Sequence, residues 1–493
     1  MNHCIRASVR LALLALSCSP VIGHAQAVGT PAASASDIQQ LRNELEAIKA
    51  GYEARIRALE ARLEAAAPGP ASTAVPRPST TAPAATTTAP SPSPAAPAST
   101  AAAPTPGALA LAAPSSAPTA SNAFNPAIGL ILSGGYTRTS RDAASDGITG
   151  FPFPSGAVPG PGPRGFSLAE SELGISASID PWWRGAAFIA LLSDNSVSIE
   201  EAFVHTTALG HGMSLKLGRF YSGIGYLNPQ HAHSWDFIDN PLSYKALLGT
   251  QYGEDGVQLT WVAPTEQYIA IGLELGRGRG FPGSDSDRRG AGMTALTAHT
   301  GGDLGISSTW RAGVSVLDAK ADDQALSLMN GSGSMTDALF SGSTRVWVVD
   351  GVWKWAPNGN AARTSFKLQG EYLHSTRRGD LTVDPTGAAV PGSYRATQSG
   401  WYLQAIYQFA PQWRLGLRTE RLDPGSASVS WTDAVLGSTY QPSRDSLMLE
   451  FRQSEFSRFR LQYARDRTRE GFTDNQLFLQ YQMSLGAHGA HRY

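Results

Sequence analysis

The stretch Trp401-Tyr402-Leu403-Gln404-Ala405-Ile406-Tyr407-Gln408-Phe409 decides the fold class. Trp401, Leu403, Ala405, Tyr407 and Phe409 occupy one phase of a two-residue period, and Gln404 and Gln408 occupy the other. Successive side chains of a strand point to opposite faces, so the stretch predicts a strand with one apolar face and one polar face. The pattern recurs along the chain. Ile175, Ala177 and Ile179 enclose Ser176 and Ser178; Met213, Leu215 and Leu217 enclose Ser214 and Lys216. Val257, Leu259 and Trp261 enclose Gln258 and Thr260, and Phe459, Leu461 and Tyr463 enclose Arg460 and Gln462. Each segment runs about 10 residues, the length a tilted membrane strand needs.

Alternation alone also fits a sandwich with one wet face. Repetition and connection length separate the two. About sixteen segments can be placed from residue 123 onward, on the even-numbered antiparallel plan of bacterial outer-membrane barrels. Their connections alternate between short ones, such as 180–181, 210–211, 263–265 and 410–411, and long ones rich in glycine. The long ones are 139–166, 221–253, 278–290, 320–343, 376–398 and 422–443. The fold class expected is therefore an all-β transmembrane β-barrel of about 16 antiparallel strands, with short periplasmic turns and long external loops. Trp182, Trp183, Trp261, Trp355, Trp401 and Trp413 lie near strand ends, as interfacial girdles require.

The chain before residue 123 has a different texture. Residues 1–27 read as a signal peptide, with Arg6 and Arg10 ahead of the apolar run 11–16 and small residues after it. Both cysteines, Cys4 and Cys18, fall inside it, so the mature chain would hold no thiol for a disulfide or a nucleophile. Residues 36–67 predict a helix whose Ile38, Leu41, Leu45, Ile48, Tyr52, Ile56, Leu59 and Leu63 form a narrow heptad seam, that of a periplasmic coiled coil. Residues 68–122 are a disordered Pro/Ala/Thr-rich linker by composition. Of the 493 residues, only 16% are charged and the net charge is -1, which argues against a nucleic-acid partner.

The long connection 221–253 differs from the others. It follows the strand ending Gly218-Arg219-Phe220-Tyr221-Ser222-Gly223-Ile224-Gly225, and it is too aromatic to wave in solvent. Counting strands makes it the third external loop. Folded inward, it would offer Arg219, Tyr221, Tyr226, His231, His233, Trp235, Asp236 and Lys245 as constriction residues. The polar phase of the strands would line the lumen with Lys216, Lys354, Lys367, Arg414, Arg418, Arg452, Arg458 and Arg460, and with Glu172, Glu274, Asp350, Glu371, Glu420 and Glu450. Neither sign dominates, which implies a water-filled channel of weak ion preference. The alternative is a closed barrel filled by paired charges; ~16 strands normally leave an aqueous channel. His231 and His233 with Asp236 have the chemistry of zinc ligands, yet hydrogen bonding of the loop to the wall explains them more simply. No metal or other cofactor is expected. No nucleophile elbow, phosphate loop or metalloprotease helix is present, so no enzymatic activity is expected.

With its signal, coiled coil, linker and barrel, and with the segment 218–225 ending the fifth strand, the chain resembles the outer-membrane porins of the phosphate-selective (O/P-type) family. Sugar porins with an N-terminal coiled coil are a second likeness. The in-phase Leu477, Leu479, Tyr481, Met483 and Leu485, followed by the terminal Tyr493, resemble the assembly signal of outer-membrane proteins. The resemblance implies a homotrimer in the cell outer membrane, in contact with its lipid. It also implies passive diffusion of small hydrophilic solutes or anions. Phosphate-selective members have an arginine ladder and a lysine-rich fifth loop. The corresponding 320–343 here has Lys320, with Arg345 just beyond it, against Asp322, Asp323 and Asp337. Two other functions remain to be weighed: a tether between outer membrane and cell wall, and an energy-coupled, receptor-type uptake protein related to metal. The second needs a globular plug and about 22 strands.

Overall fold

The alternating segments are strands. The computed structural model describes residues 126–141, 147–157, 159–285, 289–329, 335–430 and 438–486. The expected signal peptide, coiled coil and linker lie outside them. In chain order the first strands are β1 (Ala127–Thr139), β2 (Phe153–Pro154), β3 (Gly165–Leu168), β4 (Ser171–Ser178), β5 (Trp183–Leu191) and β6 (Val197–Thr206). Next come β7 (Met213–Tyr221), β8 (Gly253–Val262), β9 (Tyr268–Gly276), β10 (Met293–Leu304), β11 (Ser308–Met329) and β12 (Met335–Trp355). The last are β13 (Ser365–Val383), β14 (Val390–Ala410), β15 (Trp413–Val429), β16 (Ser443–Ser454), β17 (Ser457–Arg467) and β18 (Asp474–Gly486).

From β4 to β18 each strand pairs antiparallel with the next, and β18 pairs with β1 from Gly129↔Gly486 to Thr139↔Gln476. That last ladder closes the ring and leaves no sheet edge open. β3 and β4 both pair with β1, so they form one interrupted wall strand, while β2 pairs only with the outer end of β11. The wall is thus a closed barrel of 16 antiparallel strands.

The wall has an inverted polarity. On β9, Ile271 and Leu275 are each 46% exposed on the outer face, while Glu274 between them is 1% exposed on the inner face. Leu415 and Leu417 on β15 and Leu461 on β17 are likewise exposed, beside buried Arg418, Arg460 and Gln462. An apolar outer surface around a polar interior is stable where lipid, not water, bathes the outside.

Much of the expected long loops 320–343 and 376–398, and the first part of 422–443, is instead strand. β11 has 22 residues, β12 and β14 have 21 each, and β13 has 19, about twice what a bilayer crossing needs. In these extensions the alternation reverses. Leu326, Phe340, Leu381, Tyr394 and Val429 are buried inward, whereas Arg378, Asp380 and Arg395 face out. A sheet standing beyond the membrane meets water on its outer face, so its apolar phase turns inside. Small residues and charges made the same stretches read as loops.

Candidate functional site

Segment 222–252, between β7 and β8, turns into the barrel. Its glycines and prolines let the chain fold sharply. Gly225 sits at φ +65°, and a Cβ there would run into the Glu371 carboxylate. After Pro241 a short helix, α1 (Leu242–Leu248), is buried along its whole length and ends on left-handed Gly249. The helix packs on β13, β14 and β15.

Wall carboxylates hold the loop's backbone. Glu371 on β13 accepts the amides of Tyr226 (3.1 Å) and Leu227 (3.0 Å) and the hydroxyls of Tyr244 (2.8 Å) and Tyr402 (2.6 Å). Glu274 on β9 accepts the Ser222 hydroxyl at 2.5 Å and the Gly223 amide at 2.7 Å. Glu420 on β15 accepts the Leu242 amide at 2.6 Å, so a wall carboxylate satisfies one of the free donors at the start of α1. Wall arginines do the same for loop carbonyls. Arg460 donates to Trp235 at 2.6 Å and to Asp236 and Phe237 at 3.2 Å, and Arg444 donates to Asn240 at 3.1 Å.

Two loop aspartates complete the fastening. Asp236 accepts from Arg414 at 2.5 Å and from Gln404 at 3.1 Å, and it pairs with Lys367. Asp239 pairs with Arg418 and Arg444, both at 2.7 Å, and with Lys245 at 3.4 Å. Burial would raise the pKa of each aspartate. The cations outweigh it: Lys367 and Arg414 hold Asp236, and Arg444 and Arg418 hold Asp239, well below the usual carboxylate range. Burial pulls Lys245 down.

The expected lumen charges therefore do not face open water alone. Lys367, Glu371, Arg414, Arg418 and Arg460 are bonded to the loop, Glu450 pairs with Arg414 (3.1 Å) and Arg452 (2.7 Å), and Lys216 lies 4.4 Å from the Phe203 ring. Lys354 is on the inward phase of β12 and half-buried, opposite Lys367 in register.

Of the constriction candidates, Tyr226, Trp235, Asp236 and Lys245 lie within the inward loop. Arg219 does not. It shares the outward phase of Leu215 and Leu217, because its neighbour Phe220 is fully buried inside, and it pairs with Asp255 at 2.7 Å. Asp236 is also not beside the histidines as a third ligand; it is taken up by Lys367 and Arg414.

The histidines meet glutamates that the loop sequence does not contain. His231 Nδ1 is 2.9 Å from Glu172 Oε2 and 3.0 Å from Glu200 Oε2, and its Nε2 is 2.8 Å from Glu201 Oε2. His233 Nδ1 is 3.2 Å from the same Glu172 oxygen, and the two rings stack at 5.6 Å. Tyr221 packs edge-on against His231 at 5.4 Å. Burial would lower the His231 pKa, but the bonds to Glu172, Glu200 and Glu201 raise it well above the ordinary imidazole value. Glu172, His231 and His233 are a group able to hold a metal ion, their ligand atoms lying within 4.8 Å of one another.

Period-two reading would not put Glu200 and Glu201 on one face. A β-bulge does. Phe188 pairs with Glu201 and Ile189 with Ile199, so Glu200 is the extra residue and both carboxylates reach the lumen.

No known family model matches the chain. A curated relative, an uncharacterized protein of Aquifex aeolicus (strain VF5), is 29% identical over 349 residues, covering 67% of this chain and 70% of the relative. Among solved structures, a loop L8 deletion mutant of the outer membrane protein OmpT of Vibrio cholerae overlaps 74% of this chain and 100% of its own. That overlap has 11% identity and a TM-score of 0.46. Pseudomonas putida OprB overlaps 74% of this chain and 94% of its own, with 12% identity and a TM-score of 0.44. The outer membrane channel DcaP of Acinetobacter baumannii overlaps 73% of this chain and 97% of its own, with 12% identity and a TM-score of 0.43.

Proposed function

We propose that this chain is an outer-membrane porin, a passive diffusion channel for small hydrophilic solutes or ions, whose lumen is narrowed by loop 222–252. One observation carries the reading: an inward loop is bonded to inward side chains on opposite walls of a barrel whose outer face is apolar. The amide and carboxylate contacts span β9 on one side and β15 on the other. Such a barrel has a polar interior but little free width, so its conductance is small.

The inward charges as a set carry both signs, and many are paired with one another or with the loop. Arg452, Lys354 and Lys216, which are not fully buried, are cations, so any preference is a slight one for anions. Weak selectivity follows, with phosphate no more favoured than other small anions. Assembly as a trimer and a periplasmic coiled coil over 36–67 belong to the same proposal.

Planar-bilayer recording of the purified full chain tests it. Stable unitary steps are expected, small for a 16-stranded barrel, with a reversal potential near zero in a salt gradient. Silence across repeated insertions, in preparations that shield the lipid-facing surface and fold fully, would overturn the channel reading. Of the other two functions, receptor-type uptake is the less supported, because the wall has 16 strands, not about 22.

A further inference from the structure

The cluster at the junction of loop 222–252 with β4 and β6 is not explained by a diffusion channel. Four glutamates converge there: Glu172 on β4, Glu200 and Glu201 on β6, and Glu170, which hydrogen-bonds Glu200. Wherever else the loop meets the wall, acid is matched with arginine or lysine or with neutral donors. Here the partners are two imidazoles and the Tyr221 amide, which donates to Glu201 at 3.0 Å. Four glutamates face two imidazoles, and the bulge at Glu200 is what brings the last carboxylate in.

We propose that His231, His233 and Glu172, with Glu200 beside His231 Nδ1 as the nearest further carboxylate, form a binding site for one divalent transition-metal ion of the zinc class, which ties the loop to β4. Two imidazoles and carboxylates are a borderline-soft nitrogen and oxygen set, suited to Zn²⁺ rather than to Ca²⁺ or Mg²⁺. The spacing fits. Bonds of about 2.0–2.1 Å in a tetrahedron put ligand atoms roughly 3.3 Å apart; Glu172 Oε2 lies 2.9 Å from His231 Nδ1 and 3.2 Å from His233 Nδ1, and the three ligand atoms all lie within 4.8 Å of one another. The other nitrogen of His231 is already against a carboxylate, Glu201 at 2.8 Å. A ligating histidine characteristically donates its second N–H to such a group, which fixes the ring and its tautomer. This site differs from the pair-plus-Asp236 arrangement expected from sequence: the carboxylates come from the wall, so the metal would cross-link two parts of the chain.

The inference is independent of whether the barrel conducts. Full-length protein, purified in detergent and stripped with a chelator, is titrated with Zn²⁺ and separately with Co²⁺. One saturable Zn²⁺ per chain is expected, along with the visible d–d absorption of four-coordinate Co²⁺. The double variant His231→Gln/His233→Gln loses both signals, and Glu201→Gln weakens Zn²⁺ binding about 10–100-fold. His488→Gln/His491→Gln, which changes the histidines near the end of the sequence, leaves the stoichiometry at one. Binding that is unsaturable, or that survives in the His231/His233 variant, overturns the proposal. If that variant fails to fold, X-ray absorption on zinc-loaded wild-type protein decides instead. A first shell of nitrogen and oxygen with two imidazoles supports the site; a shell of oxygen alone, or no retained zinc, refutes it.

Discussion

The Leu242 amide donates to Glu420 Oε2 at 2.6 Å, and this bond joins the middle of a loop to the wall strand farthest from where the loop begins. Glu420 is on β15. Round the ring from β7, where the loop departs, β15 is reached after eight strands through β8, and after eight through β6, β5, β4, β1, β18, β17 and β16. The loop therefore crosses the full diameter of the barrel and does not merely lean on the nearest wall.

Loosening that crossing should open the path. In Asp236→Asn/Asp239→Asn, the guanidinium groups of Arg414, Arg418 and Arg444 lose a charged partner in a buried setting. Breaking one side of a buried pair costs about 3–5 kcal/mol when the remaining charge is not relieved. Unitary conductance is expected to rise and the denaturant midpoint to fall; equal conductance in variant and parent would take the aspartates out of the fastening.

Acid should test the same contact with a known sign. Both aspartates have folded pKa values depressed below their unfolded value of about 3.9. Their contribution is complete above that unfolded value and drains away as pH falls through the depressed folded values. The loop should stay docked from neutral pH down to about pH 4, and release only in stronger acid. Tryptophan emission, to which buried Trp235 contributes, recorded against pH reports it; a transition centred near pH 5–6 would contradict the assignment.

Gly225 has no room for a side chain. Its φ of +65° is left-handed, and a Cβ would also meet the Tyr244 hydroxyl at 2.8 Å and displace the Glu371 carboxylate. Gly225→Ala is expected to lower stability by about 1–3 kcal/mol and to free the loop's first turn, measured by urea refolding into liposomes.

The lipid-facing surface is tested by a pair of neighbours on β17. Leu461→Arg puts a charge on the exposed apolar face and should cost about 2–4 kcal/mol if it lies at the bilayer midplane. Its neighbour Gln462 faces inward, donating to Asp239 at 3.0 Å, so Gln462→Leu should disturb the loop and leave insertion alone. Insertion yield into liposomes against channel conductance separates the two effects.

Much of this was legible in residues alone. The two-residue period of Trp401 to Phe409 marks the wall half of β14, and the alternating runs at 213–217, 257–261 and 459–463 lie within β7, β8 and β17. Which loop folds inward was legible from its aromatic content. What it meets was not, because bonds such as Tyr226 to Glu371 join residues 145 apart in sequence. The phase of Arg219 is legible in principle, because it shares that of Leu215 and Leu217. The convergence of Glu200 and Glu201 was not, since a bulge shifts register without leaving a mark in composition. The extensions of β11 to β14 are hidden in the sequence for a different reason, a reversal in which face meets water.

That reversal also shapes the way in. Strands β5 to β9 have 9 or 10 residues, whereas β11 to β14 have 19 to 22. At about 3.3 Å per residue, one flank of the rim overtops the other by roughly ten residues of strand. In the proposed channel, a solute would come in over the low flank before it met loop 222–252. On that reading the rim would set the side of approach, and the loop the width of the way through.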